Sequence, residues 1–153
     1  MEKTIRIAGL DDMKRLAEAV ARHVRPGFVI GLAGDLGSGK TTFTKFLAQS
    51  MGIRDVVNSP TFTILKIYRG EPPLYHMDVY RLETIGYDYS LDEFIDGDGV
   101  AVIEWYPYIL RMLPPEMLMI DIRSEGETKR SVVIKGVGEY AKTVEDVVRR
   151  YGD

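Results

Sequence analysis

Apolar residues recur in two different rhythms along this chain. Met13, Leu16, Ala17, Val20, Ala21 and Val24 fall at helical spacing over three turns, with Asp11 or Asp12 placed to cap the start. Lys3 to Ile7 reads as a short strand before this helix, and Arg25-Pro26-Gly27 ends it. Phe28 to Leu32 is then a nearly unbroken apolar run, the pattern of a strand covered on both faces. A glycine-rich loop follows, and out of it comes a predicted helix that buries Phe43, Phe46, Leu47 and Met51 and stops at Gly52.

The middle of the chain is more β-like. Phe62 to Tyr68 and Leu74 to Tyr80 flank Arg69-Gly70-Glu71-Pro72-Pro73, a break that predicts a hairpin. A short helix is expected around Leu91 to Phe94, and Gly99 to Ile103 is a second buried-type strand. Pro114-Pro115 separates an irregular segment from two late strands, Met117 to Arg123 and Arg130 to Lys135. A last helix carries Tyr140, Val144, Val147, Val148 and Tyr151 on one face. With no internal repeat, low-complexity tract or linker, the expectation is one α/β layered domain spanning residues 1–153.

Composition narrows the function classes. The 153 residues are 45% hydrophobic and 28% charged, values of a soluble globular protein, and no apolar run approaches the roughly 20 residues of a membrane span. The opening MEKTIRIAGLDD lacks the charged-then-apolar pattern of a secretory signal, and there is no cysteine, so a cytoplasmic location is expected. A net charge of −3 argues against gripping nucleic acid by phosphate neutralisation alone.

The glycine-rich loop carries the first chemistry. Gly34-Asp35-Leu36-Gly37-Ser38-Gly39-Lys40-Thr41 satisfies G-x-x-x-x-G-K-[ST] between a predicted strand and a predicted helix. A chance match in a chain this long has a probability on the order of one per cent or less. Glycines let the backbone wrap phosphate oxygens, Lys40 meets the outer phosphates, and the Thr41 hydroxyl is suited to Mg²⁺. Such a loop needs an acid at the end of a neighbouring buried strand, and Val100-Ala101-Val102-Ile103-Glu104 ends in one. Glu104 is therefore the candidate to hold Mg²⁺, directly or through water, against the plain reading of a strand-ending acid.

Tyr75-His76-Met77-Asp78-Val79-Tyr80-Arg81 is less decided. In an extended chain His76, Asp78 and Tyr80 share one face. Asp78 is then placed either to orient or deprotonate a water or hold a metal-bound one, or to make a structural hydrogen bond with His76. Thr61, in Asn58-Ser59-Pro60-Thr61-Phe62, lies where phosphate-loop proteins often carry a segment sensitive to the terminal phosphate. Trp105 and Tyr106 follow Glu104 as core or interface aromatics.

Taken together and in this order, GDLGSGKTT, SPTF, HMDVYRLE and VIEW resemble the TsaE family, bacterial ATPases of tRNA N6-threonylcarbamoyladenosine (t6A) biosynthesis. The resemblance runs from about Asp11 to Arg130. It implies an α/β fold, a P-loop NTPase-like three-layer core with a mixed, partly parallel sheet, and ATP and Mg²⁺ as cofactors. It also implies weak hydrolysis alone and work in a complex with TsaD and TsaB, where ATP turnover resets the complex between rounds of transfer. The tRNA is then met through the complex rather than by direct binding, with no membrane involved.

Carried onto this sequence, the resemblance makes Lys40, Asp78 and Glu104 catalytic, and Thr41 and Glu104 the metal residues. Asp35, Leu36, Gly37, Ser38, Gly39, Lys40, Thr41, Thr42, Thr61, Trp105 and Arg130 would bind ATP, Arg81 completes a Tyr-Arg pair, and Leu10, Asp11 and Lys129-Arg130 fall near the base. Ser38 stands where the family usually has alanine, and Tyr106 separates the motif tryptophan from Pro107. Two rival readings remain: a small-molecule kinase, for which little chain is left to build an acceptor site and lid, and an assembly module in which nucleotide binding matters and hydrolysis is incidental.

Overall fold

The computed structural model describes residues 1–58 and 63–152. In chain order the elements are β1 (Glu2–Ile7), α1 (Leu10–Ala21), β2 (Val29–Ala33), α2 (Lys40–Ser50), β3 (Leu65–Tyr68), β4 (Leu74–Asp78), α3 (Asp92–Ile95), β5 (Val100–Glu104), β6 (Leu118–Ser124), β7 (Arg130–Gly136) and α4 (Glu139–Gly152). Short 3₁₀ segments cover Tyr80–Leu82, Tyr89–Leu91 and Tyr106–Met112.

Among the described residues the strands form one seven-stranded sheet in the order β1-β7-β6-β2-β5-β4-β3. The four central strands β6, β2, β5 and β4 run parallel, and the flanking pairs β1/β7, β7/β6 and β4/β3 are antiparallel. The mixed sheet expected from the sequence is therefore present, with its parallel part in the middle. Strand β2, and β5 up to its last residue Glu104, are apolar because both of their faces are covered.

Alternation along each strand sorts side chains into two cores. Ile30, Leu32, Val100 and Val102 join Leu16, Val20, Phe43, Leu47, Val144 and Val147 from α1, α2 and α4. Val29, Ala101 and Ile103 join Met77, Leu82, Ile95, Tyr106 and Ile109 beneath α3 and the 3₁₀ segments. Fully burying one such aliphatic side chain contributes about 1.5–3 kcal/mol, so the central strands are the rigid support for whatever lies at their ends. Parallel strands β2, β5 and β4 finish at the same edge, with Leu32 opposite Glu104 and Asp78 opposite Glu104. That edge is where ligands bind in open parallel sheets.

Several element ends differ from expectation. Neither Asp11 nor Asp12 is the cap of α1: the helix begins at Leu10 behind Gly9, and Asp12 reaches back from the first turn to accept the Ala8 N–H at 2.8 Å. Strand β4 stops at Asp78, so Tyr80 leaves the His76–Asp78 face and opens a 3₁₀ turn. The turn is made by Asp78 itself, whose Oδ1 catches the Tyr80 N–H at 3.1 Å, while its own N–H still extends the β3/β4 ladder to the Ile64 carbonyl at 2.9 Å. No described helix is long and apolar enough to cross a membrane.

Candidate functional site

The loop of residues 34–39 leaves β2 and winds directly into α2. Its turn is closed by the Ser38 N–H donating to the Asp35 carbonyl at 3.0 Å. Gly34 has φ +152° and packs so closely that a Cβ there would lie 2.5 Å from the Ile122 carbonyl and 2.5 Å from Ser38 Oγ. Gly37 has φ +77° with open space around it. The two glycines thus serve different needs, close approach at the first and a left-handed turn at the second.

Lys40 is the first residue of α2 and is buried. Its ammonium donates to the Gly34 carbonyl at 2.5 Å and the Asp35 carbonyl at 3.1 Å, and it lies 4.2 Å from the centroid of the Trp105 ring. Desolvation pushes its pKa below the usual lysine value, against the opposing pull of Glu104, Asp78 and Asp35. A cation at a helix N-terminus, whose first-turn N–H groups have no partner within the helix, is an arrangement suited to an anion.

The acids come from neighbouring strand ends. Thr41 Oγ1 donates to Glu104, 3.1 Å from Oε2 and 3.3 Å from Oε1. Glu104 is only 3% exposed, and its Oε2 also meets the Nε2 of His76 at 2.5 Å. His76 is fully buried, and its Nδ1 has no partner among the described residues. The structural His76–Asp78 hydrogen bond weighed from the sequence is not made, because His76 turns to the adjacent strand instead. Asp78 is half-buried beside the same cleft, and burial raises its carboxyl pKa; the Tyr80 N–H opposes the shift, Glu104 adds to it, and His76 and Lys40 oppose it.

Trp105 forms the cleft's aromatic wall. It holds a left-handed backbone, φ 67°, which is uncommon for a bulky residue. Tyr108 stacks on its ring at 5.5 Å and Tyr80 meets it edge-on at 5.0 Å. Behind it Tyr106 is buried against Gly31, with its hydroxyl donating to Asp121 at 2.8 Å and Pro107 in the first turn of the following 3₁₀ segment. The extra residue before Pro107 is therefore absorbed as a core side chain.

Leu36, Gly37, Gly39, Lys40, Thr41, Thr42, Asp78, Glu104 and Trp105 line one cleft of about 200 Å³. On the other side of the loop, Gly37, Ser38, Gly39 and Thr42 border a second hollow of about 170 Å³, walled by Ile7, Leu10 and Met13 and closed by Glu127, Thr128 and Arg130. Arg130 acts there as a clasp: its Nε donates to the Ser38 carbonyl at 2.9 Å, and its Nη1 donates to the Gly126 and Lys129 carbonyls of the β6–β7 turn.

The structure thus brings Lys40, Thr41, Thr42, Asp78, Glu104 and Trp105 to one cleft and puts Ser38 and Arg130 on the adjoining hollow. Asp35 sits exposed at the loop tip, Leu36 is exposed at the rim of the cleft it lines, and Arg81 is exposed in the 3₁₀ turn after β4. Asp11 lies in the first turn of α1 near the hollow, and Lys129 precedes the clasp. Thr61, and most of the SPTF stretch with it, lies outside the described residues. Sequence reasoning missed Tyr108 as Trp105's stacking partner, the apolar wall of Ile7, Leu10 and Met13, and the His76–Glu104 contact.

With this geometry in hand, the chain was compared with known proteins. Residues 7–132 match the family model described as threonylcarbamoyl adenosine biosynthesis protein TsaE. The TsaE of Bacillus subtilis is 46% identical over 141 residues, covering 91% of this chain and 89% of the relative. The TsaE of Treponema pallidum is 39% identical over 125 residues, covering 80% and 93%. The crystal structure of Bacillus subtilis YdiB superposes with a TM-score of 0.84 at 39% identity, covering 97% of this chain and 95% of that one. The expected α/β architecture and the expected family both hold, and the chain belongs to the TsaE family of threonylcarbamoyladenosine biosynthesis proteins.

Proposed function

We propose that this protein is a Mg²⁺-dependent ATPase that serves tRNA t6A biosynthesis and hydrolyses ATP in complex with TsaD and TsaB, so that the complex can turn over repeatedly. The observation that carries the reading is the convergence of Lys40, Thr41, Glu104 and Asp78 on one cleft at the carboxyl ends of three parallel strands. The pathway follows from the names of the relatives, which are tRNA threonylcarbamoyladenosine biosynthesis proteins.

The donor set fits the cofactors. Mg²⁺ prefers hard oxygens and takes one or two from protein, with phosphates and water completing its shell. The Thr41 hydroxyl and the Glu104 carboxylate supply such oxygens, with Thr41 Oγ1 3.3 Å from Oε1 and 3.1 Å from Oε2. The space that a Cβ on Gly34 would fill, and the open turn at Gly37, suit a backbone that must approach phosphate closely. Bound Mg²⁺ would supply charge neutralisation to the phosphates.

The chain's own residues then have distinct tasks. Lys40 exchanges the Gly34 and Asp35 carbonyls for phosphate oxygens, and Trp105 shields it from bulk water. Thr41 and Glu104 hold the metal. Asp78, with its raised pKa, is the group placed to orient the attacking water and accept its proton. Ile7, Leu10 and Met13 offer an apolar slot for the base, with Arg130 holding the loop against it.

ATP hydrolysis measured with and without purified TsaB and TsaD tests the reading. Stimulation by the partners, with free phosphate as product, is the expected result. A requirement for a phosphorylated small-molecule acceptor would make the protein a kinase. Sustained t6A formation by Asp78→Ala, with hydrolysis abolished, would reduce it to an assembly module.

A further inference from the structure

His76 is fully buried on β4, its Nε2 lies 2.5 Å from Glu104 Oε2, and its Nδ1 has no partner among the described residues. A buried polar atom without a partner is costly, so the rest of the site must require the imidazole. The orphan also identifies the tautomer. An unpaired N–H in an apolar setting costs more than an unpaired ring lone pair, so the proton belongs on Nε2, donated to Glu104.

We infer that His76 is the positioning residue for Glu104: its Nε2–H anchors Oε2 and thereby presents the carboxylate to the metal site in a single orientation. Glu104 receives a second donor from Thr41. With Oε2 held by the imidazole, rotation about the last side-chain torsion is stopped, and Oε1 is the oxygen left to the metal or its water. Metal-binding carboxylates are commonly oriented by such outer partners, whose loss costs about 10- to 100-fold in metal affinity. The sheet register supports the assignment. His76 pairs with Val102 and Asp78 with Glu104 on β5, so a histidine two residues before the β4 acid sits directly behind the β5 acid.

The inference rests on Glu104 being a metal residue, so the test separates the two. Mn²⁺ serves as the probe, with affinity for the protein·ADP complex read by electron paramagnetic resonance and metal-free ADP affinity read by calorimetry. His76→Leu fills the space without a donor; His76→Gln keeps an N–H at similar reach. Expected is a loss of about 10- to 100-fold in Mn²⁺ affinity for His76→Leu, partial recovery for His76→Gln, and metal-free ADP affinity unchanged in both. Unchanged Mn²⁺ affinity in His76→Leu overturns the proposal, as does a parallel loss of both affinities, which marks a structural role. If Glu104→Ala also leaves Mn²⁺ affinity intact, the metal reading itself fails. Should the variants not fold, two-bond imidazole ¹H–¹⁵N spectra of the wild-type protein decide. A neutral Nε2–H His76 supports the inference, and an Nδ1-protonated ring refutes it, with His23 distinguished by His23→Gln.

Discussion

Replacing Gly34 with alanine separates two costs that a phosphate loop imposes. The new Cβ would stand 2.5 Å from the Ile122 carbonyl and 2.5 Å from Ser38 Oγ, at a φ of +152°. Ser38 has some freedom to turn away, but Ile122 belongs to β6, which is paired with β7 and β2 and does not yield. Overpacking of this kind costs about 1–3 kcal/mol, and the unfavourable backbone adds about 1–3 kcal/mol. Gly37→Ala is the internal control, because its φ of +77° meets no atom within 4 Å. It carries only the left-handed penalty, about 1–2 kcal/mol. For a chain of this size each kcal/mol moves the melting temperature by about 2–4 °C. Gly34→Ala should therefore melt roughly 4–24 °C below wild type, and Gly37→Ala roughly 2–8 °C below. Because the Gly34 carbonyl accepts from Lys40, Gly34→Ala should also weaken ATP binding more than Gly37→Ala does. Scanning calorimetry and ATP titration measure both. Equal melting temperatures for the two variants, or a Gly34→Ala protein as stable as wild type, would refute the close-packing account.

Lys40→Ala removes the main cation from the loop and should weaken ATP binding by about 10- to 100-fold, the worth of a charge-assisted hydrogen bond; near-normal affinity by calorimetry would remove the phosphate role. Asp78 has a folded pKa above its ordinary 3.8, so its ionised form is penalised in the native state at neutral pH, and the penalty fades as pH falls through the folded pKa and is gone below the ordinary one. Asp78→Asn keeps the oxygen that accepts from Tyr80 and should melt higher than wild type at neutral pH, with the gain shrinking in acid; a gain independent of pH would contradict the desolvation account. Asp146 is the opposite case: Arg150, His23 and Arg149 hold its pKa well below the usual carboxylate range. Its contribution to stability is present above the unfolded value and lost as pH falls through the folded one, so Asp146→Asn should lower the melting temperature at neutral pH, less in molar salt. Trp105 is the only tryptophan and lies over Lys40. Its fluorescence should change on adding ATP, and a silent signal would place the phosphates elsewhere.

The central strands were legible because burial on both faces leaves a continuous apolar run, as in Val29–Ala33 and Val100–Glu104. The phosphate loop was legible because its constraints are local: glycines at fixed offsets, then Lys40 and Thr41 opening a helix. The end of β4 was not, since Val79 is buried and continues the alternation past the point where Asp78 catches the Tyr80 N–H and turns the chain. Spacing placed His76 and Asp78 on one face but could not say that β5, 28 residues onward, supplies the imidazole's partner. The left-handed Trp105 has little local signal, being a bulky residue held by Lys40 and Tyr80 from elsewhere in the chain as well as by the nearby Tyr108.

The shared edge of β2, β4 and β5 has a consequence for how the protein matures. Thr41 and Glu104 are separated by 63 residues, and neither Glu104 nor Asp78 reaches the loop until the three parallel strands are paired in register. Contacts of such long range form late, after loop closure has been met. A half-folded chain can therefore possess the whole glycine-rich motif and still lack the two carboxylates beside it. Ligand that binds only the finished arrangement stabilises that state alone. If the proposed function holds, nucleotide and metal favour the chains whose strand register is correct, so that the proposed substrate would double as the inspector of assembly.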